Sequence, residues 1–226
     1  MMTKSSMMNY FKLTVDTDAD DYEYIVSSHE FSKKVENSDI YDLASITKIA
    51  SSALILMQLE SENRFSVDST LGSYLPEILD STEYKNLVLK EILTHQAGLA
   101  SWIPFYVKTL NEGMPSYELY SKLPSNIHQS LVAKNLYMLS SYRDTIFERI
   151  LSTDINKNKK YKYSDVGYYF INEIIKKITF NSQDLIAENI YSKIGLQNIG
   201  YNPLNKWDLN RITPTENDIM PHFFNQ

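Results

Sequence analysis

Apolar residues recur at helical spacing from Ser45 to about Asn63, where Ile46, Ile49, Ala50, Ala53, Leu54, Leu56 and Met57 cover most of the circumference. A helix that is apolar nearly all round is expected to be buried. Its polar residues gather at the start, at Ser45, Thr47 and Lys48. Polar groups at the head of a buried helix need a reason, either capping or chemistry. Asp165 to Phe180 predicts a second long helix, with Val166, Tyr169, Phe170, Ile174 and Ile178 turned inward. Gln183 to Ile194 predicts another, closed by Gly195 at a C′-like position. Shorter helices are predicted at Thr70 to Leu75, stopped by Pro76, at Leu87 to Leu93, and at Tyr142 to Leu151. Strand signals are few. Tyr22 to Val26 is β-branched and aromatic, and Glu30 to Val35 offers a second short strand with no Asn-Gly turn between the two. Two strands alone are marginal, so further partners are expected. Residues 101–135 carry three Pro and no clear period. Residues 1–21 are polar, end in an acidic stretch and read as a poorly ordered lead-in to a single domain over 22–226.

Composition narrows the classes. The 226 residues carry 22 Lys and Arg against 28 Asp and Glu, a net charge of −6. That balance argues against general nucleic-acid binding, which needs a concentrated basic face. The hydrophobic fraction of 43%, with 17 Tyr, 9 Phe and 2 Trp, argues against disorder. The absence of Cys removes disulfides, thiol nucleophiles and Cys-type zinc sites. No apolar run approaches the ~20 residues that span a bilayer, and Met1 to Asn9 lacks the apolar core of a signal peptide. The compartment stays open. No His, Asp and Glu spacing suggests a metal, and there is no Gly-rich phosphate loop, so no cofactor is expected.

Three segments could carry chemistry. Ser45 and Lys48 form the only Ser-x-x-Lys of the chain, and a spacing of three places them on one helix face. Serine is a weak nucleophile until a base takes its proton. A buried lysine has a lowered pKa, and its neutral amine can serve as that base. The plain alternative is an N-cap beside a surface lysine. Thr82 and Lys85 share the spacing but sit in a polar segment. Tyr163-Ser164-Asp165 lies between a polar loop and a helix start, where Ser164 or Asp165 can cap. A tyrosine beside a cationic lysine loses its proton more readily and can act as general base or acid; the alternative is a packed Tyr in a Tyr-rich protein. Leu93 to Leu99 (LTHQAGL) holds His95, a possible base by its near-neutral pKa, although a hydrogen-bonded loop before Gly98 is the favoured reading.

Taken together, Ile40 to Lys48 (IYDLASITK), LTHQAGL and Tyr161 to Asp165 (YKYSD) resemble the serine β-lactamase and penicillin-binding-protein superfamily, in its class C-like branch of esterases and D-aminopeptidases. The resemblance covers residues ~30 to 220. It implies an α+β, β-lactamase/transpeptidase-like fold, here a mostly helical portion with an incomplete antiparallel sheet. It implies roles as well: Ser45 as acylated nucleophile whose backbone N–H forms half an oxyanion hole, Lys48 assisting its deprotonation, and Tyr163 as general base or acid. Asp165 stands where the family has the Asn of Tyr-x-Asn and contacts substrate; an Asp adds a negative charge and loses a donor. The family's third motif, Lys/His-Thr/Ser-Gly on a sheet-edge strand, does not occur here. That strand also supplies the second oxyanion donor. The expectation is therefore a copy truncated at its C-terminus, whose nucleophile helix exposes an apolar face and which a complementary C-terminal segment would complete. The expected function is serine hydrolysis through an acyl-enzyme of an ester, peptide or β-lactam carbonyl, on a small or peptidoglycan-like substrate, with the lean toward esterase or peptidase. The rival expectation is an inactive homologue that binds a partner or cell-wall fragment. The family often works in the periplasm or outside the cell.

Overall fold

The protein is described here from a computed structural model, which covers residues 38–133 and 135–213 together with three strands that precede them. The chain divides into two compact units, Met1–Leu43 with Asn202–Glu216, and Ala44–Tyr201 with Asn217–Gln226. The sequence presents one domain over 22–226; the division falls inside it, at Leu43 and again at Tyr201.

In the first unit, β1 (Phe11–Leu13), β2 (Tyr24–Ser27) and β3 (Ser32–Lys34) form an antiparallel sheet in that order. Lys12 faces Ile25, and Ile25 faces Lys34. The two expected strands thus have the further partner that marginal pairs require, and it comes from within the expected lead-in. The remainder of 1–21 and the tail beyond 213 lie outside the described residues. A parallel bridge ties the unit's two chain segments: the Ile40 N–H donates to the Arg211 carbonyl at 2.7 Å, and the Thr213 N–H donates to the Ile40 carbonyl at 2.9 Å. The Arg211 Nε adds a bond to the Ser38 carbonyl.

The second unit is built on helices. A single element changes pitch twice, from a 3₁₀ turn (Ala44–Ile46) to a π-helical turn (Lys48–Ala53) to α1 (Leu54–Ser61). Short helices α2 (Leu71–Tyr74), α3 (Pro76–Leu79) and α4 (Leu89–Leu93) follow. Pro76 stops α2 as expected, and it also opens α3 at N1, where its missing N–H costs nothing. The longer helices are α5 (Tyr142–Leu151), α6 (Val166–Thr179) and α7 (Gln183–Lys193). The centre is α6: Phe170, Ile171, Ile174 and Ile175 are fully buried, against Ile55, Leu71, Leu75, Leu79, Leu89 and Ile150. Each such side chain contributes about 1.5–3 kcal/mol relative to exposure. The Tyr84 hydroxyl is held at the Ile150 carbonyl (2.8 Å) and at Thr153. No helix among the described residues is long and apolar enough to cross a membrane.

Two expectations are corrected. The helix from Ser45 is buried on one face only, which corrects the burial that its all-round apolar pattern predicts and agrees with the exposed apolar face expected of this helix. Ser51, Ser52, Ile55, Leu56 and Leu59 are covered, whereas Ile46, Ile49 and Met57 are 60%, 73% and 68% exposed. Apolar residues reveal which faces can be buried, and among the described residues the covered face is the one toward α6 and α7. The region of 101–135 also folds into strands. β4 (Leu110–Asn111) and β5 (Met114–Pro115) form a hairpin, and β6 (Tyr120–Ser121), β7 (His128–Ala133) and β8 (Leu136–Leu139) form a sheet ordered β6-β8-β7. The first hairpin turns on Glu112 and Gly113, both with positive φ (50° and 80°). This is the two-residue turn that usually carries Asn-Gly.

Gly98 fixes the LTHQAGL loop. Its φ is +77°, and a Cβ there would lie 2.1 Å from the Asn156 carbonyl oxygen, a backbone atom that also sits beside the Asn156 N–H bond to the Gly98 carbonyl (2.9 Å). We expect Gly98→Ala to destabilise the protein by about 2–4 kcal/mol, through left-handed strain plus displacement of the 156 loop. Urea unfolding checks this, and a loss under about 0.5 kcal/mol would refute the close approach.

Candidate active site

The element that changes pitch carries the first two candidates. Ala44, just before Ser45, has φ +43°, a region that costs a residue with a Cβ roughly 1–2 kcal/mol. Backbone strain of this kind collects where a side chain must be aimed. Ser45 is exposed in the 3₁₀ turn, and Lys48 is the first residue of the π turn. The Lys48 Nζ donates to the Ser45 Oγ at 3.0 Å. It also lies 2.6 Å from the Asp165 Oδ1, in an ion pair whose lysine side chain is only 15% exposed. The Tyr163 and Tyr168 rings stand 5.2 and 5.4 Å from the same nitrogen, close enough for cation–π attraction.

Ser45, Lys48, Tyr163 and Asp165 therefore meet around one ammonium group. Its protonation differs from the expectation. Burial is the largest influence on Lys48 and pushes its pKa down, but the hydrogen bonds and charges of Asp165 and Tyr163 outweigh it, so the pKa lies above the ordinary 10.5. Burial alone suggested a neutral amine; the carboxylate at 2.6 Å keeps a cation.

Asp165 does not cap α6 with its side chain, which turns to Lys48 instead. Ser164 takes the local polar work. Its Oγ accepts the Val166 N–H at 3.2 Å and donates to the Ala100 carbonyl at 2.6 Å, while the Asp165 N–H donates to the Ser101 carbonyl at 2.9 Å. The head of α6 is thereby pinned to the segment that follows LTHQAGL.

His95 is a brace for this loop. It sits in left-handed backbone (φ 59°), its carbonyl accepts the Lys162 N–H (2.9 Å), and its Nδ1 accepts the Ser164 N–H (3.2 Å). Its ring lies 4.4 Å from that of Tyr163 and edge-on to Tyr161. Burial, then the Lys48 charge, lower its pKa, so the ring is neutral near pH 7 and Nδ1 is free to accept. These contacts support the hydrogen-bonded loop that the sequence favours for this segment. Sequence reasoning missed Tyr168, on the first turn of α6, and the buried hydroxyls of Ser51 (1% exposed) and Ser52 (5%). Two adjacent polar residues inside an otherwise apolar helix were the available signal for the latter.

The family model described as Beta-lactamase matches residues 20–216. The chain belongs to the Beta-lactamase family. Among curated relatives of this Beta-lactamase-family chain is the N-acetylmuramyl-L-alanine amidase of Bacillus subtilis, 26% identical over 200 residues, covering 80% of this chain and 40% of the relative. The putative D-alanyl-D-alanine carboxypeptidase of Escherichia coli is 28% identical over 180 residues, covering 76% and 36%. The chain thus spans about two fifths of the length of the curated relatives it matches. Its fold is similar to that of a class C β-lactamase in complex with cefoxitin (TM-score 0.53, 11% identity, 85% of this chain and 48% of that one). It is likewise similar to a penicillin-binding protein from Bacillus halodurans (TM-score 0.52, 12% identity, 83% and 55%). The family's β-lactamase/transpeptidase-like architecture, α+β with an incomplete sheet, is present here.

The ion pair makes a signed prediction. Lys48 has a folded pKa above its unfolded value, so its contribution to stability is fully present below about pH 10.5 and is lost as pH rises through the folded pKa. Asp165→Asn removes that contribution. We expect the wild type to exceed the variant by about 0.5–1 kcal/mol near neutral pH, with the gap closing above about pH 10.5. Denaturant unfolding at two pH values checks this; a gap that persists undiminished in strong alkali would show that the Lys48 charge is not its source.

Proposed function

We propose that this chain carries the acylating residues of a serine hydrolase, acting through an acyl-enzyme on an ester, peptide or β-lactam carbonyl. The observation that carries the reading is the Lys48 ammonium held 3.0 Å from the Ser45 Oγ, with Tyr163 beside it. In this reading the Ser45 Oγ attacks the carbonyl carbon, and the acyl ester forms on Oγ as the bond to the leaving group breaks. In this scheme Tyr163 enters as the phenolate beside the Lys48 ammonium, takes the hydroxyl proton and delivers it to the leaving group. Lys48 orients Ser45 and offsets the charge that develops on the oxygens around it. Water then attacks the acyl-enzyme by the reverse proton route. Asp165 is a substrate contact in the resemblance. Its ion pair with Lys48 supports a second task, that of fixing the lysine's position and charge.

The names of the relatives, an N-acetylmuramyl-L-alanine amidase and a putative D-alanyl-D-alanine carboxypeptidase, favour a peptidoglycan-like peptide among the candidate substrates. The exposed stripe of Ile46, Ile49 and Met57 favours a second reading. In it, a complementary polypeptide segment covers this helix face, and the chain alone is weakly active or only binds. Lack of one oxyanion donor would cost about 10²–10³ in rate.

Intact-mass spectrometry after incubation with a fluorophosphonate or a penicillin tests the proposal. We expect a single adduct on the wild type that Ser45→Ala abolishes. Folded wild type that stays unlabelled by both probes would overturn the proposal for the chain alone and leave the second reading in possession.

A further inference from the structure

The π-helical turn of Lys48–Ala53 is held from one side by polar groups that the acylation scheme does not use. In an α-helix the Leu54 N–H would donate to the Ala50 carbonyl; here it turns to the Ser51 carbonyl. The Ala50 carbonyl receives the Tyr191 hydroxyl of α7 at 2.8 Å. The Gln183 Nε2, on the first residue of α7, stands 3.0 Å from the Ser51 Oγ, the Ser52 Oγ and the Tyr201 hydroxyl. An amide nitrogen has two hydrogens, so two of those three contacts are donated at a time. The Tyr201 hydroxyl donates to the Ser51 Oγ at 2.7 Å, and the Tyr201 N–H donates to the Glu188 Oε1 of α7. Ser51 and Ser52 are almost fully buried, where hydroxyls require partners.

We infer that Gln183, Tyr191 and Tyr201 are positioning residues that hold the wide turn open and thereby aim Lys48, with Ser45 beside it, at Asp165 and Tyr163. A π turn holds one residue more than an α turn and persists only where its surroundings compensate for it. Its relaxation to α pitch would rotate everything N-terminal to it by about 100° relative to α1. Lys48 is the first residue of the turn and Ser45 precedes it, so that rotation would carry both together off Asp165 and away from the Tyr163 ring. The brace reaches the site only through the backbone: none of its three side chains is bonded to Ser45, Lys48, Tyr163 or Asp165.

The consequence for acylation rests on the proposed function, whereas the consequence for Lys48 does not, and the test separates the two. The variants are Tyr191→Phe and the near-isosteric Gln183→Met in the full chain, with Tyr84→Phe as a control that loses a buried hydroxyl elsewhere. Lys48 is titrated by NMR of its ¹³Cε, and the rate of fluorophosphonate labelling is followed against pH. We expect the brace variants to bring the Lys48 titration back toward the ordinary 10.5. We also expect labelling to slow by about tenfold, the effect of one lost positioning bond. Tyr84→Phe should change neither readout, whatever stability it loses. If the wild type does not label, the acylation proposal fails and the Lys48 titration alone decides the brace. Folded brace variants with an unshifted Lys48 titration would overturn it, as would a shift in Tyr84→Phe of equal size.

Discussion

Lys48 meets opposing demands: its four-carbon stem is sequestered, and its nitrogen must serve a hydroxyl, a carboxylate and the faces of two aromatic rings. A sequestered ammonium without a counter-charge holds its proton less tightly. Asp165 prevents this, and in doing so couples the head of the helix that carries Ser45 to the head of α6. The remaining geometry of the site follows from that one attraction. Ser164 ties the α6 head to Ala100, His95 stacks under Tyr163, and Gly98 lets the intervening loop approach Asn156. Removing the carboxylate would free the amine but also loosen the joint between two elements whose residues are far apart in the chain.

The apolar frame behind the site is independent of this electrostatic arrangement. Phe170, Ile171, Ile174 and Ile175 fill the centre of the helical unit, and their contribution does not change with pH. Arg143 pairs with Glu173 across α5 and α6, and Tyr84 closes on Ile150 and Thr153. This division lets the site hold strained backbone at Ala44 and a π turn without endangering the fold.

Legibility from the sequence followed the range of the interaction involved. α5, α6 and α7 were readable because their apolar spacing is local and strong; Tyr142 to Leu151 agrees to the residue. The meeting of Ser45 with Lys48 was readable from a spacing of three. The state of Lys48 was not, because it depends on a carboxylate that lies far along the chain and arrives only through tertiary contact. Burial alone gave the wrong sign. Strands β4 to β8 were missed because they are two to six residues long and lack alternation, and because Glu112 occupies a turn position that usually signals itself with Asn. The exposed Ile46 and Ile49 mark a different limit. Periodicity shows that a helix face is apolar, and it cannot show what covers that face. The resemblance, which reached the family, reached further than any of these local patterns.

The chain of 226 residues holds only six glycines. Among the described residues, left-handed conformations are taken up by Ala44, Asn63, His95, Glu112, Asn135, Phe180 and Asn202, against three glycines. At His95 the strained backbone supports the site. At Phe180, which ends α6 with φ 57° and is 91% exposed, it supports nothing of the kind. Helices usually close on glycine at that position. The chain thus holds an unused thermal reserve at its own helix ends, roughly 1 kcal/mol per site, open to drift or to design without any change in the chemistry of its centre.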